Sequence, residues 1–471
     1  MKEGLKSFST TQIIIMNQTL TCPQTRRTVI LFPILFIAMA SIPLCKGFGT
    51  TSSSIRSNFA SQISKDSNKS LHHIPSSSKS TILHSSLSPE ITVKTKQIDL
   101  STGISAEIMV CKPPDDKSPL SSLQMVFSSK PKPPLVFIHG SFHASWCWAE
   151  KFFPYFANLG YPCYALSLRG TGGTFAGEEV NRVNIMDHVR DIVSFLEYVD
   201  NGSKTEEVNN KVPPPVLLAH SFGGLAIMKY LEKYLYIDPQ ISDRQVPSFL
   251  SDKVDDSSNV NDYESTSISV YDSENDKLIL QSQTGLPFPL SGVCLMCSVP
   301  PSGNGKMTMR FLRRSLKDSW KITAGLALKK CIIDEDLCRD LFFGGKAITN
   351  EEGEIVQDWG VSDDDIRRYQ GYFERDTVAT INLKDLSSKL PNRNIDKEGR
   401  ALFGDAVPPA LVLGASDDFI VDDVGVTETA KYFGVDPTIV DSPHDVMLGS
   451  KWENAATEIS QWLEKLTKEE K

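Results

Sequence analysis

Positive charge is scarce in this chain of 471 residues, where 49 Lys and Arg stand against 58 Asp and Glu for a net charge of −9. That balance argues against nucleic acid as a partner, since a phosphate backbone is held mainly by clustered Lys and Arg. No phosphate-cradling glycine loop and no nucleotide fingerprint occur, so no cofactor is expected. Cysteine lacks a framework: the nine thiols, at 22, 45, 111, 147, 163, 294, 297, 331 and 338, are odd in number and irregularly spaced. Such usage fits a reducing compartment better than secretion. Cys294 and Cys297 have metal-like spacing, but no second Cys or His pair accompanies them, so they read as buried thiols and no metal is expected. Long apolar runs are also missing, apart from Val29 to Leu44. That run is short for a membrane span of about 20 residues, and Pro33 and Pro43 interrupt it.

What is present at the N-terminus reads as an address. Residues 1–89 carry nine Lys/Arg against two Asp/Glu, so the remainder bears a net −16. Residues 29–44, behind Arg26 and Arg27, resemble a signal core, and 48–88 are Ser/Thr-rich and acid-poor like a transit peptide. A signal core followed by a transit-like stretch opening at Phe48 resembles the two-part plastid presequences of algae with complex plastids. Plastid localisation is therefore expected. An ER or secretory signal before a linker, or an uncleaved anchor through 29–44, is the alternative. Residues 1–88 are set apart from the fold.

From residue 89 the pattern is that of an α/β protein. Residues 91–100 and 104–112 alternate around Ser101-Thr102-Gly103 as an opening hairpin. Leu135 to Ile138, Tyr161 to Leu168, Val216 to Ala219 and 291–299 read as buried strands, while Trp146 to Leu159 and Val183 to Val199 read as helices. This alternation calls for a parallel sheet covered on both faces. An acidic insert at about 237–288 interrupts it, with nine Asp/Glu and two Lys/Arg between 243 and 276, and reads as a disordered surface loop. The first part of the core is thus 89–300, a mostly helical segment follows over 301–402, and 403–471 completes the core. Within 306–330, Met309, Leu312, Leu316 and Trp320 share one helical face and basic residues cover the other. The pattern fits either a lid helix packed on the core or peripheral contact with an anionic membrane.

Chemistry is concentrated at Ala219-His220-Ser221-Phe222-Gly223-Gly224. An apolar strand, a central serine between small residues, and a helix make a nucleophile elbow, with Ala219 in place of the usual first glycine. A serine needs an imidazole to take its proton and a carboxylate to orient that imidazole. Past His220 the chain holds one more histidine, His444, in a loop after a predicted strand, and it is the expected base. The acid should leave the strand 411–414, where Asp418 is preferred over Asp417 because Phe419-Ile420-Val421 would bury its turn. Two backbone N–H groups should hold an oxyanion: that of Phe222, and that of Ser141 or Phe142 in the loop after Ile138. His139 and His143 are expected to shape that loop, and His220 to pack away from the hydroxyl.

Together these elements resemble the α/β-hydrolase superfamily over roughly 91–470. His139-Gly140-Ser141-Phe142-His143-Ala144-Ser145-Trp146-Cys147-Trp148 is similar to the signature of the plant methylesterase and hydroxynitrile lyase group. Leu168-Arg169-Gly170-Thr171-Gly172-Gly173 looks like the glycine turn many members carry. Residues 298–304 and 427–433 resemble uncharacterised plastid members of plants and algae. The resemblance implies a mostly parallel eight-stranded sheet, helices on both faces, a helical cap after strand six, and a Ser221–Asp418–His444 hydrolase. A small-molecule or lipid ester is the expected substrate. A lyase using the same residues as a base, or a binding protein on the same fold, is the alternative.

Overall fold

The computed structural model describes residues 91–114, 131–177, 180, 182–204, 212–236, 285–346, 348–357 and 360–469. The putting-aside of 1–88 and nearly all of the acidic insert therefore concern segments outside the described residues. Of that insert, only 285–288 are described, and Leu286 and Phe288 pack against the core.

Eight strands form one sheet: β1 Val93–Asp99, β2 Ser105–Cys111, β3 Leu135–Ile138, β4 Cys163–Leu166, β5 Val216–His220, β6 Gly292–Met296, β7 Ala410–Asp417 and β8 Thr438–Pro443. Their spatial order is β1-β2-β4-β3-β5-β6-β7-β8. β1 pairs antiparallel with β2 from Val93↔Cys111 to Asp99↔Ser105, and β2 runs antiparallel to β4. Every later pairing is parallel. β3, β4, β5 and β6 are buried along their whole length, which explains their unbroken apolar sequences: a central parallel strand has no solvent face for polar residues.

Helices α1 Phe152–Asn158, α2 Ile185–Lys204, α3 Phe222–Leu235, α9 Asp423–Phe433 and α10 Trp452–Glu469 cover this sheet. On β6, a Cβ at Gly292 would meet Trp462 of α10, while Leu295 lies against Gly224 of α3. Residues of opposite parity point to opposite faces of a strand, so the sheet is covered on both. The helix read over 146–159 is in fact a short 3-10 turn, Ser145–Trp148, followed by α1. Pro154 explains the break, because its ring excludes the carbonyl four residues back and is tolerated only in a first helical turn. Trp148, Phe152, Phe153 and Phe156 then pack around Phe137 of β3.

Between β6 and β7 lie α4 Asn304–Arg314, α5 Leu316–Ile322, α6 Glu335–Phe342, α7 Asp363–Asp376 and α8 Leu383–Ser388. A hairpin of Ile348–Thr349 with Ile355–Gln357 interrupts them, an element the sequence reading does not contain. The continuous helix read across 306–330 is broken at Ser315, which is extended (φ −158°, ψ 119°) and caps α5 by accepting from the Asp318 N–H. The reading of its stripe as a face packed on the core is also corrected. α4 buries Met307 and Phe311 instead, and Met309, Leu312, Leu316 and Trp320 are exposed. Already within the unbroken α4 the buried positions are 307 and 311 rather than 309 and 312, so helical spacing alone does not say which apolar stripe faces the core.

The glycine turn after β4 is structural. Arg169 pairs with Asp191 of α2 through both Nε and Nη2, and a Cβ on Gly172 would come within 2.3 Å of Glu107. Asp376, buried at the end of α7, accepts from the Gly172 N–H at 2.7 Å and from Trp146 Nε1 at 2.8 Å, tying the cap to two core loops.

Candidate active site

The elbow forms because β5 must turn directly into α3. Ser221 sits between them at φ 51°, ψ −119°, a conformation that costs a non-glycine residue about 1–3 kcal/mol. Tight packing holds it there. A Cβ on Gly223 would stand 2.6 Å from the carbonyl oxygens of Ile138 and His139, and one on Gly140 would stand 2.7 Å from the Ser221 Cβ. Backbone bonds complete the clamp: Ser221 N–H donates to Met296 at 3.0 Å and Val299 N–H donates to Ser221 at 3.1 Å.

The sheet brings Asp418 and His444 together from the ends of neighbouring strands. His444 Nδ1 lies 2.8 and 2.9 Å from the two Asp418 carboxylate oxygens, with both side chains at most 2 % exposed. Asp418 is fixed in turn by accepting from the N–H groups of Ile420 and Val421, each at 2.8 Å. Asp417, the other candidate, is exposed and does not bond His444. Burial lowers the His444 pKa, but the charge and hydrogen bond of Asp418, helped by Asp445, outweigh it and raise it above its ordinary value. Among the described residues no hydrogen bond joins the Ser221 hydroxyl to His444, and such contacts commonly close only around substrate.

The three amides expected to face an oxyanion, those of Ser141, Phe142 and Phe222, donate to no acceptor among the described residues. Phe142 has φ 69°, another strained position at the same place. His139 shapes this loop as expected. Its Nδ1 donates to the Gly140 carbonyl at 2.8 Å and its Nε2 accepts from the Leu168 N–H at 2.9 Å. Burial pushes its pKa down to about 4, so it stays neutral.

His143 and His220 do more than the sequence reading assigns them. His143 contacts the Ser141 carbonyl through Nδ1 at 2.8 Å and Asp445 through Nε2 at 2.9 Å, with both side chains fully buried. His220 Nε2 donates to the His444 carbonyl at 3.0 Å, and burial holds its pKa well below the ordinary value. The loop bearing His444 is therefore tied to the Ser141–Phe142 loop through Asp445. No spacing rule links residues 143 and 445, which is why the sequence does not reveal them. Asp445→Asn removes the charge from this buried contact, and we expect a loss of about 3 kcal/mol in stability, measured by denaturant unfolding.

Two cap residues complete the surroundings. The Phe342 ring lies 6.2 Å from His444 and 5.8 Å from Phe142, and its carbonyl accepts from the Asp445 N–H at 3.0 Å. Phe373 lies 4.9 Å from His143. Cys297, just past β6 at φ 45°, also joins the site: its Sγ, an Asp418 oxygen and a His444 nitrogen all lie within 4.8 Å of one another. Burial first, then the Asp418 charge, pushes this thiol's pKa up, so it stays protonated beside the carboxylate. Cys294 is likewise a buried thiol held protonated by burial.

Strand order, elbow and the delivery of an acid and a histidine from β7 and β8 belong to the α/β hydrolases. Residues 135–456 match the Alpha/beta hydrolase family, and the chain is a member of it. Among curated proteins it is similar to Methylesterase 2 of Arabidopsis thaliana, 24% identical over 157 residues, which is 32% of this chain and 56% of that relative. The match thus spans little more than half of the relative's length. Among solved structures it is similar to a carboxylesterase of the thaumarchaeon Nitrososphaera gargenis (TM-score 0.45, 13% identity, 79% of this chain and 100% of that one). It is also similar to an esterase of Thermogutta terrifontis (TM-score 0.43, 14% identity, 79% and 99%).

Proposed function

We propose that this protein is a serine hydrolase that cleaves a carboxylic ester through an acyl-enzyme. The observation that carries this reading is the buried bond from His444 Nδ1 to Asp418, in a chain that also strains Ser221 on an elbow. In this reading Asp418 holds the imidazole with its proton on Nδ1, leaving Nε2 free to take the Ser221 proton. The serine oxygen attacks the acyl carbon, and the Phe222 amide with that of Ser141 or Phe142 receives the negative charge on the carbonyl oxygen. His444 then returns the proton to the leaving alkoxide. Water, deprotonated by the same imidazole, releases the acid and frees Ser221. Membership of the family supports this sequence of steps, and so does the esterase name of the plant relative.

A fluorophosphonate probe tests the reading. The expected result is a phosphonyl adduct on the peptide containing Ser221, found by mass spectrometry and absent after prior incubation with a turned-over ester. A folded protein that is not labelled, or is labelled elsewhere, would overturn it. Release of an aldehyde without an acyl-enzyme would favour the lyase alternative. The basic, acid-poor residues 1–88 make a plastid the proposed location. Imaging of a fusion to those residues checks this, and fluorescence confined to the secretory route would refute it.

A further inference from the structure

The cap leaves uncovered the apolar side chains that its sequence pattern would bury. Leu316 is 78 % exposed and Trp320 61 %, and Met309 and Leu312 on α4 are each 44 % exposed. Large apolar groups on adjoining short helices mark a contact surface rather than scattered exposure. Their charge context identifies the partner. Residues 304–333 hold eight Lys/Arg and one Asp, in a protein whose residues from 90 onward carry a net −16.

Within that basic set, Arg310 is used internally, pairing through both Nε and Nη2 with Asp422, and Lys321 pairs with Asp340. Lys306, Arg313, Arg314 and Lys317 are exposed and form no ion pair among the described residues. Apolar side chains fringed by free cations match the boundary of an anionic bilayer, where the acyl region takes the former and the headgroups the latter.

The same helices reach the candidate site. Arg310 grips Asp422, four residues past Asp418, and Lys321 Nζ lies 5.5 Å over the ring of Phe419, its direct neighbour. We propose that the α4–α5 face of the cap docks on an anionic lipid surface and that the ester is a lipid taken from it. The docking stands on the surface alone, while the lipid substrate rests on the ester-hydrolase reading above.

The test uses the full chain with Cys22→Ser and Cys45→Ser, because the other seven cysteines are buried. Leu316→Cys is labelled with an environment-sensitive fluorophore, and Gln461→Cys on α10 serves as the comparison site. Phosphatidylcholine vesicles containing phosphatidylglycerol should brighten and blue-shift the label at 316 and leave that at 461 unchanged. Arg313→Glu with Lys317→Glu should weaken this binding about tenfold or more. Leu316→Asp with Trp320→Asp should lower turnover of a vesicle-embedded ester about tenfold and leave that of a soluble short-chain ester unaltered.

A silent label at 316, or an equal response to vesicles lacking phosphatidylglycerol, overturns the docking. So does a signal that needs no vesicles and grows with protein concentration, which would indicate a second copy. A vesicle-free signal abolished by deleting 243–276 would place the acidic insert there and overturn it as well. If the label inserts but neither ester is cleaved, the docking holds and the ester-hydrolase reading fails. If the soluble ester is cleaved and the label stays silent, the reverse holds.

Discussion

Ser221→Ala should lower kcat for a short-chain ester by about 10⁶-fold and abolish fluorophosphonate labelling, while the protein keeps its fold. The size of the effect follows from the chemistry: without the oxygen no acyl-enzyme forms, and His444 has no proton to take. The substitution removes one atom from a side chain that makes no hydrogen bond among the described residues, so it should leave stability little changed. Near-wild-type turnover by the alanine variant would mean that another group attacks the ester. Thermal unfolding run beside the kinetics separates a lost nucleophile from a lost fold.

Asp418→Asn should lower kcat by about 10⁴-fold, because an amide at that position can offer its N–H to Nδ1 and stabilise the wrong tautomer. The pH profile provides a second readout. His444 must be neutral to act as a base, and its pKa in the folded protein is raised above the ordinary 6.5. The acid limb of kcat/KM in the wild type should therefore lie above 6.5, with activity falling as pH drops through it. In the asparagine variant the Asp418 charge and bond, the larger of the effects that raise the pKa, are gone, while burial, which lowers it, and the smaller effect of Asp445 remain. The residual limb should then move to lower pH. A limb that stays in place would detach Asp418 from the imidazole.

Much of the candidate site was legible because it rests on local rules. Strand, small residue, serine and helix at 216–235 specify an elbow through steric demands within a few residues, and the structure shows that turn at φ 51°. His444 was identified by scarcity and chain order, and Asp418 by the apolar return after it. What could not be read involves residues far apart in sequence that touch only after folding. His143 and Asp445 are separated by 302 positions and meet because the loops after β3 and β8 open at the same end of the sheet. Phe342 reaches His444 from the cap, and Cys297 reaches Asp418 because β6 lies beside β7.

The cap shows the same division in reverse. Helical spacing identified an amphipathic segment around 309–320 but could not assign its buried side, because α4 packs through Met307 and Phe311 and leaves Met309 and Leu312 in water. By itself the sequence determined the layered α/β class, the elbow, the identities of the candidate base and acid, and the basic character of the segment 306–330. Each of these depends on short-range sterics, hydrophobic period or residue count. Only the tertiary structure decided which loops bind one another and which apolar groups remain in water, since both follow from the packing of whole elements and no local spacing encodes it.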